Sequence, residues 1–106
     1  MTRGTRGYSW GVAEYQITYW RDIPSMVTAR DGDDVVKVQL AARFQEAIDE
    51  AAMRAGDTDA DAYLAGWLRS DWLQGDGTAT ELAERVGREL EENLNDERLN
   101  QLVNGE

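Results

Sequence analysis

The sequence predicts an α+β domain: a three- or four-stranded antiparallel sheet with two to three helices packed on one face. Two patterns and one size argument predict it. Apolar side chains alternate with polar ones between residues 13 and 40, and from Leu40 onward they recur instead at helical spacing. A chain of 106 residues fits one domain, and at this size folding buries roughly 60–70% of the surface the unfolded chain exposes. That allows one modest core and little room for a deep pocket. A hairpin alone is marginal in water, so the helices must cover the sheet.

Each element follows from local signals. Residues 1–12 (MTRGTRGYSWGV) are rich in Gly and Arg and lack periodicity, and read as a flexible N-terminal extension. The domain then spans residues 13–104. Tyr15, Ile17 and Tyr19 alternate with Gln16, Thr18 and Trp20, the signature of a half-buried strand with Tyr19 on its core face and Trp20 on the other. Arg21-Asp22-Ile23-Pro24 breaks it, because Pro24 lacks an amide donor and biases Ile23 towards extended geometry. Ser25 to Arg30 reads as a second strand. Asp31-Gly32 is a hairpin turn, and Val35 to Leu40 supplies the third strand.

Leu40, Phe44, Ala47, Ile48, Ala51 and Ala52 form the apolar stripe of a first helix, which Gly56 ends. Asp57 or Thr58 can cap a short second helix running to about Trp67, with Ala62, Trp67 and either Tyr63 or Leu64 turned inward. Residues 68–77 read as a loop or a short fourth strand carrying Leu68, Trp72 and Leu73. Thr78 with Glu81 forms a capping box for a final helix. Its stripe is Leu82, Val86, Leu90 and Leu94, with Leu99, Leu102 and Val103 as an extension.

The formal charge is −10. Residues 1–30 carry a net of +2, whereas residues 31–106 hold seven basic and nineteen acidic residues, a net of −12. Such a surface repels nucleic acid and anionic membrane, so neither is an expected partner. A charged partner would be basic. With no cysteine in the chain, disulfide, iron–sulfur and thiolate chemistry are excluded. No stretch approaches the ~18 apolar residues of a membrane span and no signal-peptide run is present, so a cytoplasmic location is the expectation.

The chain also has no histidine, the usual general acid–base of neutral pH. Ser9, Ser25 and Ser70 lack an activating signature, and Lys37, the only lysine, sits mid-strand. Asp57, Asp59 and Asp61 mimic the first three ligands of an EF-hand loop. The sixth position is Ala62 rather than Gly and the twelfth is Leu68 rather than Glu, so helix capping is the better account. No phosphate-cradling glycine motif occurs. Neither a metal nor a cofactor is expected, and an autonomous enzyme is not.

Tyr19-Trp20-Arg21-Asp22-Ile23-Pro24 is the most distinctive stretch. Arg21 and Asp22 can pin the turn through side-chain hydrogen bonds. Alternatively, Trp20 and Arg21 form an exposed recognition patch, as these residue types anchor interfaces. Arg43 and Arg54 can pair with Glu46, Asp49 or Glu50 along the first helix, or bind an anion.

YWRDIPSMV (19–27), ARFQEAIDEAAMRAG (42–56) and DADAYLAGW (59–67), in this order, resemble the small bacterial "virulence factor" domain family. A domain of this kind is also part of the multidomain conserved virulence factor C of pathogens, and the resemblance implies neither a toxin nor a reaction. It places the family pattern on Tyr19, Trp20, Arg21, Asp22, Arg43, Arg54, Asp61 and Trp67 among others, which become the candidate binding residues. It starts near Ala13, so Val12 is the expected translation start; an intact mass that includes Met1 to Gly11 would reject this. It also leads one to expect proline where the chain has Ala41.

The expected function is a non-catalytic protein-interaction or regulatory module with a protein partner. The alternatives are an accessory subunit of a one-carbon or corrinoid methyl-transfer system, as the resemblance implies, and a small-anion-binding domain built on Arg21, Arg43 and Arg54. A carboxylate-based enzyme would need a concave pocket holding two facing acids.

Overall fold

Alternation of apolar and polar side chains extends the backbone into two long strands, β1 (Val12–Trp20) and β2 (Ile23–Asp31), followed by the shorter β3 (Asp34–Gln39). The computed structural model of the protein describes residues 12–54, 56 and 60–104. β1 pairs antiparallel with β2, from Glu14↔Arg30 to Trp20↔Ile23, and β2 with β3, from Met26↔Gln39 to Asp31↔Asp34. Both hairpins therefore have two-residue loops, Arg21-Asp22 and Gly32-Asp33. β2 starts two residues earlier than the sequence predicts, with Pro24 inside it. The strand accommodates a proline there because the β3 ladder ends at Met26, so no partner on that side needs an amide from Pro24.

Helical spacing begins after Leu40. α1 (Ala42–Arg54) buries Phe44, Ala47, Ile48 and Ala52, and the amide of Gly56 closes it on the carbonyl of Met53. The short α2 (Ala60–Ala65) follows; the cap expected at Asp57 or Thr58 lies outside the described residues. Tyr63 is its inward aromatic, and Leu64 is exposed. Trp67 does not end that helix. It opens β4 (Trp67–Arg69), and β5 (Leu73–Asp76) comes next.

Both short strands lie along the free edge of β1. β4 pairs with residues 18–20 and β5 with residues 12–15. Ser70 bridges the gap between them. Its hydroxyl accepts the amide of Ile17 at 3.0 Å, and its own amide donates to the carbonyl of Ile17 at 2.9 Å. The serine is a stitch in the sheet.

Thr78 caps α3 (Ala79–Asn93) through the expected box: its side chain accepts the amide of Glu81, whose carboxylate accepts the amide of Thr78. The apolar stripe does not continue unbroken. Leu94 caps the end of α3, and Asn95 starts α4 (Asp96–Asn104) by accepting the amide of Arg98.

Among the described residues the result is an α+β fold with five strands in an open antiparallel sheet, ordered β3-β2-β1 and then β4 and β5, and four helices. The expectation of three or four strands and two to three helices falls short by one of each. α3 lies across β1, β2 and β3, while α1 rests on β2 and against α4. The core between them holds Ala13, Ile17, Val27, Ala29, Phe44, Ile48, Leu82 and Ala83. Among the described residues no helix is long and apolar enough to cross a membrane.

Candidate functional site

The two hairpins differ at one position. The first loop residue has positive φ in both: Gly32 at 60° and Arg21 at 53°. Glycine adopts that geometry at no steric cost, but a residue with a β-carbon does not. Arg21 is the only non-glycine residue among those described with positive φ. Its amide donates to the carbonyl of Gly66 at 2.8 Å, which ties the β1–β2 turn to the start of β4. Its guanidinium lies 4.9 Å from the centroid of the Trp20 ring.

Trp20 itself is 1% exposed. This overturns both the simple alternation, which sets Tyr19 inside and Trp20 outside, and the reading of Trp20 as a surface anchor. The register shifts between Thr18 and Tyr19, and α2 with the turn after it covers the indole. Tyr63 stacks on the Trp20 ring at 5.9 Å and meets Trp67 edge-on, also at 5.9 Å. The indole N–H donates to the Tyr63 carbonyl at 2.8 Å. Tyr19, half-buried, pairs with Pro24 and Leu68. Burial raises the pKa of its phenol above the ordinary value, and the nearby Tyr15 adds to this.

Gly66 completes the cover. A β-carbon there would sit 2.5 Å from Nε1 of Trp20. Gly66→Ala is therefore expected to lower stability by about 1–3 kcal/mol through overpacking. Urea unfolding measures it; an unchanged midpoint would show that the indole can shift without cost.

In front of this turn lies a cleft of about 390 Å³. Trp20 and Ile23 reach it from the hairpin, Arg21 and Asp22 from its loop, Arg54 from α1, and Leu102 and Asn104 from α4. Four of the predicted binding residues thus converge: Trp20, Arg21, Asp22 and Arg54. Arg54 also pairs with Glu50 at 3.0 Å, the helical pairing the sequence suggests. The α4 contributors were absent from the predicted set. Their only sequence signal was the apolar spacing of Leu99, Leu102 and Val103.

The other predicted residues stand elsewhere. Arg43 does not pair along its own helix. Its guanidinium donates to the carbonyls of Glu91, at 2.7 Å, and Leu94, at 2.5 Å, and lies 3.7 Å from Asp96. It closes the end of α3. Asp61 is exposed in the first turn of α2, and Trp67 is half-buried on the sheet.

A second hollow, between α1 and α4, holds Glu46, Glu50 and Asp96. Glu50 pairs with Arg54, and the Asp96 side chain is 86% exposed. Among the described residues no group of three or more potential ligands could hold a metal ion.

The fold and cleft define a small open-sheet α+β domain that gathers an arginine-bearing hairpin against two helices. The model of the family described as "Virulence factor" matches residues 18–103, which include the hairpin turn and every described residue of the cleft except Asn104. The chain belongs to the virulence factor family. No curated protein and no solved structure matches it.

Proposed function

We propose that the chain is a non-catalytic protein-interaction module that works in the cytoplasm and docks a partner at the β1–β2 turn cleft. The observation that carries this reading is Arg21, held in a left-handed conformation at the cleft's lip where the sister hairpin uses glycine. Backbone strain of about 1–3 kcal/mol at such a position persists only where the surrounding structure enforces it, and it clusters at functional sites. The cleft joins arginine side chains to an apolar floor, the composition of interface anchors.

Arg21→Gly separates the side chain from the backbone. It is expected to leave stability within about 1 kcal/mol of the wild type, because glycine fits the turn, yet to lose the partner. Affinity capture from the native host with the wild type, Arg21→Gly and Arg54→Glu tests this, with Arg88→Glu on α3 as control. A partner lost in the first two variants and kept in the control supports docking at the cleft; a partner set identical in all of them removes this site.

A second reading is a small-anion site, favoured by the approach of Arg21 and Arg54 to one cleft with Asn104. It is weakened by Arg43, which is committed to α3, and by the carboxylate of Glu50 on Arg54. Titration with inorganic phosphate, followed by amide shifts around Arg21, decides it; no shift rules it out.

A further inference from the structure

The sheet has a second face, opposite Val27 and Ala29. It forms a shallow hollow of about 490 Å³ lined by residues of β1 to β4 and by Trp72 in the link before β5. No helix contributes to the lining. Its charged lining residues are Arg30, Lys37 and Arg69; among the described residues the carboxylate nearest to them is that of Glu14, which pairs with Arg30 at its edge. A basic lining is unexpected in a chain with 21 acidic and 11 basic residues. The acids concentrate on the helical side, with Glu46, Asp49 and Glu50 on α1 and Glu89, Glu91 and Glu92 on α3.

The face is also apolar in part. The guanidinium of Arg30 lies 3.8 Å from the centroid of the Trp72 ring and reaches Glu14 at 2.9 Å. Trp67 and Trp72 are half-buried, and Val35 is 60% exposed. Lys37 and Arg69 are exposed, the first on the same strand as Val35 and the second on the same strand as Trp67.

We propose that this open face is a docking surface for an acidic protein segment. Its carboxylates would meet Lys37 and Arg69, and its apolar side chains would lie over Trp72 and Val35. Charge complementarity selects the occupant: a local cluster of one sign steers a partner of the other sign and rejects its like. A nucleic acid fits less well. Its affinity grows with the number of phosphates neutralised, and beyond this small patch the strand would meet the acidic remainder of the molecule.

The test uses the full chain labelled with nitrogen-15 and a deca-glutamate peptide as probe. Saturable shifts are expected at the amides of Thr28, Lys37 and Arg69 and at the indole of Trp72. The paired change Lys37→Glu with Arg69→Glu should weaken binding at least about tenfold. Raising salt to about 1 M, where screening acts within ~3 Å, should do the same. Lys37→Gln with Arg69→Gln gives a milder check should the reversal disturb folding. Shifts confined to the helices, no shifts, or a deca-thymidylate strand that binds this face more tightly than the peptide would each overturn the proposal. No residue lines both the docking cleft and this hollow, so the cleft's own variants, Arg21→Gly and Arg54→Glu, should leave deca-glutamate binding intact.

Discussion

Trp20→Ala is expected to lower the unfolding free energy by about 3–5 kcal/mol. The ring is 1% exposed, stacked on Tyr63 and pressed by Gly66, so truncation leaves a cavity bounded by groups that cannot close it. The carbonyl of Tyr63 loses its donor as well. Against a typical domain stability of about 5–15 kcal/mol, the variant sits near the folding threshold. Trp20→Phe keeps most of the volume and drops the donor, with an expected cost of about 1–3 kcal/mol for the orphaned acceptor. Urea unfolding of the three proteins orders them wild type, Phe, Ala. A loss below about 1 kcal/mol for alanine would contradict the buried position. One practical consequence follows: a partner lost on Trp20→Ala reports on folding, so the docking hypothesis is tested at Arg21 and Arg54 instead.

Arg43→Ala is expected to cost about 2–4 kcal/mol, because hydrogen bonds from a charged donor are each worth about 1.5–3 kcal/mol. Its guanidinium spans the carbonyls of Glu91 and Leu94 at the end of α3, where the last turn has acceptors and no intrahelical donors. The positive charge also complements the negative end of the helix dipole. Glu91 returns the contact: its carboxylate accepts the amide of Ala41 at 2.9 Å, just before α1 begins. The start of α1 and the end of α3 are therefore fastened from both sides, through an amide that a proline at position 41 would lack. Arg43→Lys should recover less than half of the loss, since an ammonium cannot reproduce the planar fork. If lysine restored full stability in thermal or urea unfolding, simple charge at the helix end would account for the residue, and the two-carbonyl clasp would not.

What was legible in the sequence was local. The β1 alternation as far as Thr18, the Leu40-to-Ala52 stripe and the Thr78–Glu81 box depend on neighbours a few residues apart, and they appear where the spacing puts them. What was hidden depends on distant residues. Trp20 is inside because Tyr63 and Gly66, more than forty positions later, come to cover it. Arg43 has acids in helical reach, yet its partners are main-chain oxygens about fifty residues away. β5 carries Gly75 and no β-branched residue, a poor strand by propensity; it forms because the edge of β1 offers a ladder. The cleft was half visible: the hairpin motif marked Arg21 and Asp22, whereas the wall from α4 had only an apolar period to announce it.

The interruption at Ser70 has a bearing on how the molecule behaves in a crowd of its own copies. An uninterrupted outer strand is a template on which another chain can add hydrogen bonds, the first step to fibrous assembly. Here that rim is divided into three residues and four, with a serine-anchored bend between them. Neither piece is long enough to guide a foreign strand into register. The same break that makes the outer edge hard to read in the sequence keeps it from becoming a seam for aggregation.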